Sequence, residues 1–148
     1  MRINARLKAE WAATRLTRGV VLAADTVVVL GRRIFGKPSN RAVAVRMLQH
    51  LSGRTHRVYT GVCVVDVDKH RTTLDVAVTR VRMRRLSPTD IEAYLRRAKP
   101  WDKAGAYAVQ EAGGMLIDKM NGSFSNVVGL PLDVVEKRLR RCGVLPSR

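Results

Sequence analysis

The sequence predicts a single mixed α/β domain over residues 1–148. Segments with the apolar spacing of helices alternate along the chain with segments rich in Val and Thr, which are typical of strands. With 148 residues, 46% of them hydrophobic, the chain is long enough to build a core of its own. Neither a repeat nor a linker interrupts this order, which favours one domain over two.

The chain begins with a predicted helix and a predicted strand. Ile3, Leu7 and Trp11 recur at four-residue spacing, which favours a helix over residues 3–16. Residues 20–30, VVLAADTVVVL, have the composition of a sheet interior except for one carboxylate at their centre. Burial of an unpaired carboxylate costs several kcal/mol, so this group must either meet a cation elsewhere in the chain or face a site.

A hairpin and a second helix follow. Gly31 turns the strand back towards an apolar pair at residues 34–35. Ser39 is the predicted N-cap of the second helix, and Gly53 its end. The apolar stripe of this helix consists of Val43, Met47, Leu48 and Leu51.

From residue 55 onward, the sequence pattern predicts a pair of strands and two more helices. Residues 55–68 and 72–83 alternate between polar and apolar side chains and form an antiparallel pair through the polar tract 69–71. LSPTDIEAYLRR is a helix with Ser87 as its N-cap, and LPLDVVEKRLRRCG is an amphipathic helix that ends at Gly143.

Charge and composition restrict the partners and the compartment. The chain has 28 basic and 12 acidic residues and a net charge of +16, and a basic surface attracts polyanions. However, 21 of the basic residues are Arg, a bias that codon usage can produce, and aromatic residues make up only 5%, too few for a base-stacking platform. A nucleic-acid partner is therefore not expected. No apolar segment is long enough for a membrane span, and the N-terminus does not have the pattern of a secretory signal. Two cysteines are too few for a disulfide framework. We therefore predict a cytoplasmic setting.

Four places carry polar or special residues that a plain scaffold does not need. They are Asp25-Thr26 in the first strand, Lys37 in GKP, Lys103 and Gln110 in WDKAGAYAVQ, and the Gly- and Ser-rich NGSFSNVVGLPL. A carboxylate that activates water, lysines that offset phosphate charge and an amide that reads a base edge together suit phosphoanhydride chemistry. The Gly- and Ser-rich segment can present backbone N–H groups to an anion.

Each residue also has a purely structural interpretation. Asp25 could be a strand-end residue that accepts from backbone amides, and Lys37 an ordinary loop lysine. Lys103 could form a surface ion pair with Asp102, and Gln110 could be a solvated turn residue. His56 and His70 are expected to be solvated rather than metal ligands.

In this order, the segments resemble the Maf family of nucleoside triphosphate pyrophosphatases (septum-formation-inhibitor-like proteins). The resemblance is carried by AADTVVVLGRRIFGKPSNRAVAVRMLQHLSGRTHRVYTGV, LSPTDIEAYL, DKAGAYAVQ and SFSNVVGLPL, and it covers nearly the whole chain. It implies an elongated, twisted mixed sheet flanked by helices around a central cleft. It also implies hydrolysis of a (d)NTP to (d)NMP and pyrophosphate, a divalent cation (Mg²⁺ or Mn²⁺), and often a homodimer.

The resemblance also assigns roles by position. Asp25 matches the family's proton acceptor, Lys37 and Lys103 match lysines of the phosphate cleft, and Thr26 and Gln110 match positions linked to base choice. ADT, DKAG and the Gln are similar to the branch that acts on dTTP and UTP. A sister branch, which acts on methylated GTP, carries SDQ, DCAG and a Glu.

This sequence departs from the family pattern at its start. Family members begin with a strand and a Ser-Pro-Arg-Arg turn, and continue with a second strand that bears a Glu. None of these features is present in this sequence. We therefore interpret the chain as truncated relative to the family. Glu111 stands where a small residue is usual, and Lys99 where an acidic residue is common. Two alternatives therefore remain open: a catalytically weak nucleotide- or nucleic-acid-binding paralogue, and a regulatory interaction protein in cell division.

Overall fold

The computed structural model describes residues 1–145 and confirms the α/β class. Its five strands form one sheet in the order β2-β1-β3-β4-β5. The strands are β1 (Val20–Leu30), β2 (Arg33–Phe35), β3 (Thr55–Asp66), β4 (Arg71–Met83) and β5 (Ile117–Asn121). The helices are α1 (Arg2–Ala13), α2 (Arg41–Leu51), α3 (Pro88–Ala98), α4 (Val109–Leu116), α5 (Phe124–Val128) and α6 (Leu132–Arg141), with a 3₁₀ turn at Ala104–Ala106.

The pairing of the outer strands is antiparallel on both sides of the sheet. On one side, β1 pairs with β2 through Val28 and Phe35, as the predicted hairpin requires. On the other, β4 pairs with β5 through Arg80 and Asn121, with a register shift after Arg82. Where the resemblance favoured a mixed sheet, both of these pairings are antiparallel.

The chain divides into two compact units whose segments interleave in sequence. The first unit contains Met1–Thr26, Tyr59–Ala77 and the described residues from Ser125 onward. The second contains Val27–Val58 and Val78–Phe124. Within residues 1–145, no helix has the length and apolar composition that crossing a bilayer requires.

In the first unit, α1 packs on β3 through small residues. A Cβ at Gly61 would lie 3.2 Å from the Arg2 Cα atom, so the helix backbone runs directly over the strand. Ala5 and Ala9 are therefore the buried side chains of α1, and both pack on Cys63. The predicted helix is confirmed, but its large apolar residues lie on the exposed side: Ile3 is 73%, Leu7 58% and Trp11 63% exposed.

Strand β3 is covered on both faces within this unit. Cys63 and Val65 belong to the cluster under α1, whereas Val62 and Val64 pack with Val135 of α6. Successive strand residues point to opposite faces, so burial on both sides removes the alternation of polar and apolar residues that a half-exposed strand shows. A two-point contact also fixes α6, because the Arg138 guanidinium donates 2.5 Å hydrogen bonds to both oxygens of Asp75 on β4.

In the second unit, side-chain caps set where the helices begin. Asn40, not Ser39 as predicted, is the N-cap of α2, and its side chain accepts from the Val43 N–H at 2.9 Å. Ser87 caps α3 as predicted and forms a capping box with Asp90. Each cap satisfies N–H groups that the first turn of a helix leaves without a partner.

The prediction that His56 is solvated is wrong, because its side chain is 1% exposed. It lies on β3 between two exposed residues, so it shares the inward face of the strand with Val58. Its Nε2 atom forms a 2.7 Å hydrogen bond with the Tyr107 hydroxyl. His70 is exposed, as predicted.

Candidate active site

Asp25 lies in the middle of β1, with its side chain 17% exposed and in contact with polar groups of α1. Its Oδ1 atom accepts from the Lys8 ammonium at 2.7 Å, and its Oδ2 atom accepts from the Asn4 amide at 3.2 Å. The carboxylate therefore meets a cation and a second donor from another part of the chain. The strand-end interpretation does not hold, because the group is neither at the end of the strand nor bonded to backbone amides in these contacts.

Lys8 and Asn4 were not identified from the sequence. They are four residues apart, so they share one face of a helix, and this helix directly precedes the strand with the lone carboxylate. That spacing was the available signal. A carboxylate held by an ammonium and an amide has a fixed orientation, which is a requirement of a general base.

Thr26 belongs to a chain of hydroxyl groups in the first unit. Its Oγ1 atom lies 2.9 Å from that of Thr60, which in turn donates to the Asn126 carbonyl at 3.2 Å. Since Thr60 has only one hydroxyl proton and donates it to Asn126, Thr26 must donate to Thr60. The Thr26 oxygen therefore keeps acceptor capacity for another group.

Lys37 and Lys103 lie in two loops of the second unit that contact each other through the backbone. The Gly105 N–H donates to the Gly36 carbonyl at 3.0 Å, which places the GKP and DKAG loops side by side. The Lys103 ammonium lies 2.7 Å from Asp102 and is 42% exposed on its side chain. Hydrogen bonding from Lys103 lowers the pKa of Asp102, and the charge of Lys37 makes a smaller contribution in the same direction.

Gln110 lies exposed in the first turn of α4, directly after the segment that carries Lys103. Tyr94 of α3 fixes the start of this helix, because its buried hydroxyl accepts from the Ala108 N–H at 2.8 Å. Glu111, the departure from the family pattern, is exposed beside Gln110.

The structure thus brings the predicted residues together in two groups. Asp25 and Thr26 are adjacent on β1 in the first unit. Lys37, Lys103 and Gln110 belong to the second unit, the lysines in neighbouring loops. The first group offers a carboxylate in a fixed orientation and a hydroxyl oxygen that can accept a hydrogen bond. The second group offers two ammonium groups and a side-chain amide.

Three backbone N–H groups of the Gly- and Ser-rich segment have partners within the segment itself. The Gly129 and Leu130 N–H groups donate to the Ser125 carbonyl, and the Leu132 N–H donates to the Ser125 hydroxyl. These three amides stabilise the turn between α5 and α6 and are therefore not available to an anion. Among residues 1–145, no three His, Cys, Asp or Glu side chains form a group that could hold a metal ion.

Comparison with known proteins identifies the family. The profile of the family described as Maf, Maf-like protein, matches residues 1–142. Three similar relatives are each named dTTP/UTP pyrophosphatase. The protein of Syntrophomonas wolfei subsp. wolfei is 43% identical over 94% of this chain and 74% of its own length. That of Moorella thermoacetica is 49% identical over 93% and 71%, and that of Myxococcus xanthus 49% identical over 97% and 72%. The family match extends over almost all of the sequence, and the chain therefore belongs to the Maf family.

Proposed function

We propose that the chain hydrolyses nucleoside triphosphates, dTTP and UTP first, to the monophosphate and pyrophosphate. The observation that carries this proposal is the carboxylate of Asp25, which lies in the middle of an apolar strand and is held by Lys8 and Asn4. The names of the relatives, dTTP/UTP pyrophosphatase, support the same reaction.

The proposed reaction is attack of water on the α-phosphorus. The water oxygen bonds to that phosphorus, the bond from it to the α,β-bridging oxygen breaks, and pyrophosphate leaves. Asp25 accepts the proton that the water loses, and general-base assistance of this kind typically contributes about 10²–10⁴-fold in rate. Lys8 and Asn4 orient the carboxylate so that it need not reorganise during the reaction.

Lys37 and Lys103 are the proposed ligands of the triphosphate. The Lys103 ammonium already binds the exposed Asp102 carboxylate, and phosphate oxygens can take the place of this carboxylate. Lys37 belongs to the loop beside it, so its charge can add to the same site. An exposed ion pair of this kind is weak, so its exchange for a phosphate costs little.

Thr26 and Gln110 are the proposed determinants of base choice. Thymine and uracil share an N3–H donor between two carbonyl acceptors. The Thr26 hydroxyl oxygen offers acceptor capacity because its own proton is donated to Thr60. The Gln110 amide offers a donor and an acceptor together.

A divalent cation, Mg²⁺ before Mn²⁺, is the proposed cofactor. Asp25 already faces an ammonium, and a protein cage of three ligands is missing from the described residues. Because Mg²⁺ is often held by one or two carboxylates together with substrate phosphates, we expect the cation to arrive bound to the triphosphate. Its contribution there is to offset phosphate charge.

A homodimer is the proposed assembly, with α1 as the contact between copies. Leu7 and Trp11 line an open groove of about 430 Å³ on this helix, and Ile3 extends the apolar surface by one turn. We expect Leu7→Glu to shift the chain from dimer to monomer in sedimentation velocity, and Ile34→Glu, at an exposed apolar residue of β2, to leave the dimer intact. A wild-type monomer at all concentrations would contradict this assembly.

The cytoplasm is the proposed compartment. Nucleoside triphosphates occur there, and a reducing setting suits Cys63 and Cys142, both free in the structure.

The test of the proposed function is a panel of triphosphates with product identification. Purified chain is incubated with Mg²⁺ and dTTP, UTP, dCTP, GTP or 7-methyl-GTP, and the products are separated by ion-exchange chromatography. We expect TMP or UMP and pyrophosphate in equal amounts, fastest from dTTP and UTP. Diphosphate and orthophosphate as products, or a preference for guanine nucleotides, would refute the proposal. Tight binding of dTTP without turnover would favour a nucleotide-binding paralogue instead.

A further inference from the structure

We propose that the buried His56–Tyr107 pair is a positioning device for Lys103. The proposal rests on the function proposed above, in which Lys103 binds the triphosphate, and it adds two residues that do not touch the substrate. All the contacts that carry it lie within the second unit.

The pair is buried and geometrically defined. His56 is 1% and Tyr107 5% exposed, and the 2.7 Å hydrogen bond between Nε2 and the hydroxyl is accompanied by an edge-on ring contact at 75°. Burial lowers the pKa of His56 to about 4 and raises that of Tyr107, so both groups are uncharged at neutral pH. Tyr107 follows the 3₁₀ turn directly and lies four residues after Lys103.

The segment that Tyr107 anchors has a strained backbone. Gly105 has φ = 74°, and Ala106, a residue with a Cβ atom, has φ = 60°. Left-handed conformations at non-glycine residues persist only when the surrounding structure imposes them, and they concentrate at functional sites. Three hydrogen bonds hold the backbone of this segment in its left-handed conformation. They join Gly105 to the Gly36 carbonyl, Ala108 to the Tyr94 hydroxyl, and Tyr107 to His56.

Stability alone does not explain a histidine at this position. Its second ring nitrogen, Nδ1, is buried without a hydrogen-bond partner among the described residues, which is unfavourable. A leucine beside a phenylalanine would occupy similar space with no polar group to satisfy. What the polar pair adds is a fixed distance and direction for Tyr107, and hence for the turn that begins at Lys103.

The consequence is a defined position for the loop that carries Lys103, beside the loop that carries Lys37. Displacement of a binding group by about 1 Å can lower a rate by about 10²-fold. Loss of the Tyr107 hydroxyl therefore acts through Lys103 and has no effect on catalysis when Lys103 is absent.

A double-mutant cycle tests this coupling. Tyr107→Phe is made in the wild-type chain and in Lys103→Met, and kcat and KM for pyrophosphate release from dTTP are measured with Mg²⁺. We expect kcat/KM to fall by about 10-fold or more in the wild-type background and by less than about 2-fold in Lys103→Met. An equal loss in both backgrounds, or no loss in the wild type, would overturn the proposal.

A second variant separates positioning from folding. His56→Leu/Tyr107→Phe removes both polar partners, so we expect it to recover the thermal midpoint that either single change loses, while kcat/KM stays low. Recovery of kcat/KM together with the midpoint would mean that the pair is only structural. Tyr59→Phe, which removes a hydroxyl from the first unit, is the matched control and should leave kcat/KM within about 2-fold.

Binding distinguishes failure of this inference from failure of the proposed function. If the wild-type chain does not hydrolyse dTTP, the proposed reaction fails, and the same cycle is run on pyrophosphate binding by calorimetry. Weaker binding on Tyr107→Phe only when Lys103 is present would then still support the positioning role. Absence of pyrophosphate binding by the wild-type chain would overturn both.

Discussion

Replacement of Gly105 by alanine tests whether the DKAG turn is as tightly determined as its contacts indicate. Gly105 is buried with φ = 74°, and a Cβ there would lie 3.2 Å from Val28 Cγ2 and 3.3 Å from Val28 Cβ and Cγ1. Val28 is 2% exposed, and since both its branches and its Cβ are this close, rotation about χ1 cannot relieve the contact.

Two costs add up in this substitution. A left-handed residue with a Cβ costs about 1–2 kcal/mol, and overpacking of a dense interior costs about 1–3 kcal/mol more. We therefore expect Gly105→Ala to lower the free energy of unfolding by about 2–5 kcal/mol. Gly31→Ala is the matched control, because Gly31 has φ = 60° but no atom within 4 Å of its Cβ position. This variant should therefore lose only the free energy that the left-handed backbone costs.

Urea unfolding followed by circular dichroism measures the difference. Gly105→Ala should lose about 1–3 kcal/mol more than Gly31→Ala, and its kcat/KM should fall because the Lys103 loop is displaced. Equal losses in the two variants, with unchanged activity in Gly105→Ala, would refute the view that the turn is fixed by its contact with β1.

Two further predictions concern stability. In the folded chain, the pKa of His56 is about 4, below its ordinary value of 6.5. Between these two pH values the unfolded state binds more protons than the folded state. The free energy of unfolding should therefore fall as the pH is lowered from 6.5 to 4. The loss should approach about 3 kcal/mol and be much smaller in His56→Gln, as measured by urea midpoints across this pH range; a pH-independent midpoint would contradict it. For the cap of α3, Ser87→Ala should cost about 1 kcal/mol and Ser87→Asp much less, and equal thermal midpoints for wild type and Ser87→Ala would contradict it.

Much of the fold follows from local signals, and the exceptions have physical causes. The hairpin at Gly31 and the cap at Ser87 could be predicted because turn and cap chemistry is local. The exposed position of Ile3, Leu7 and Trp11 could not, because it results from the close approach of α1 to β3 at Gly61, a contact distant in sequence.

The segment 109–121 was not assigned from the sequence. Helix α4 contains two glycines, which local propensity disfavours in a helix, and β5 is only five residues long. Both depend on tertiary contacts: α4 packs against α3, and β5 pairs with β4.

In the candidate site, too, local sequence predicts some features, whereas others depend on tertiary contacts. The lone charge in VVLAADTVVVL predicted that Asp25 either meets partners elsewhere in the chain or faces a site. The partners, Lys8 and Asn4, could be identified only once α1 was placed on the sheet. Likewise, the isolated His56 gave no sign that it would be buried against Tyr107, 51 residues further along the chain. That the 148 residues act as one domain remains a prediction.

The most direct test of the central claim is pyrophosphate release from dTTP by Asp25→Asn. Asparagine keeps the shape of the side chain and cannot accept a proton from water, so we predict that kcat falls by about 10²–10⁴-fold while dTTP affinity stays within a few-fold of wild type. Lys8→Met, which keeps the carboxylate but removes the ammonium hydrogen-bonded to it, should lose less. An Asp25→Asn chain as active as wild type would contradict the account.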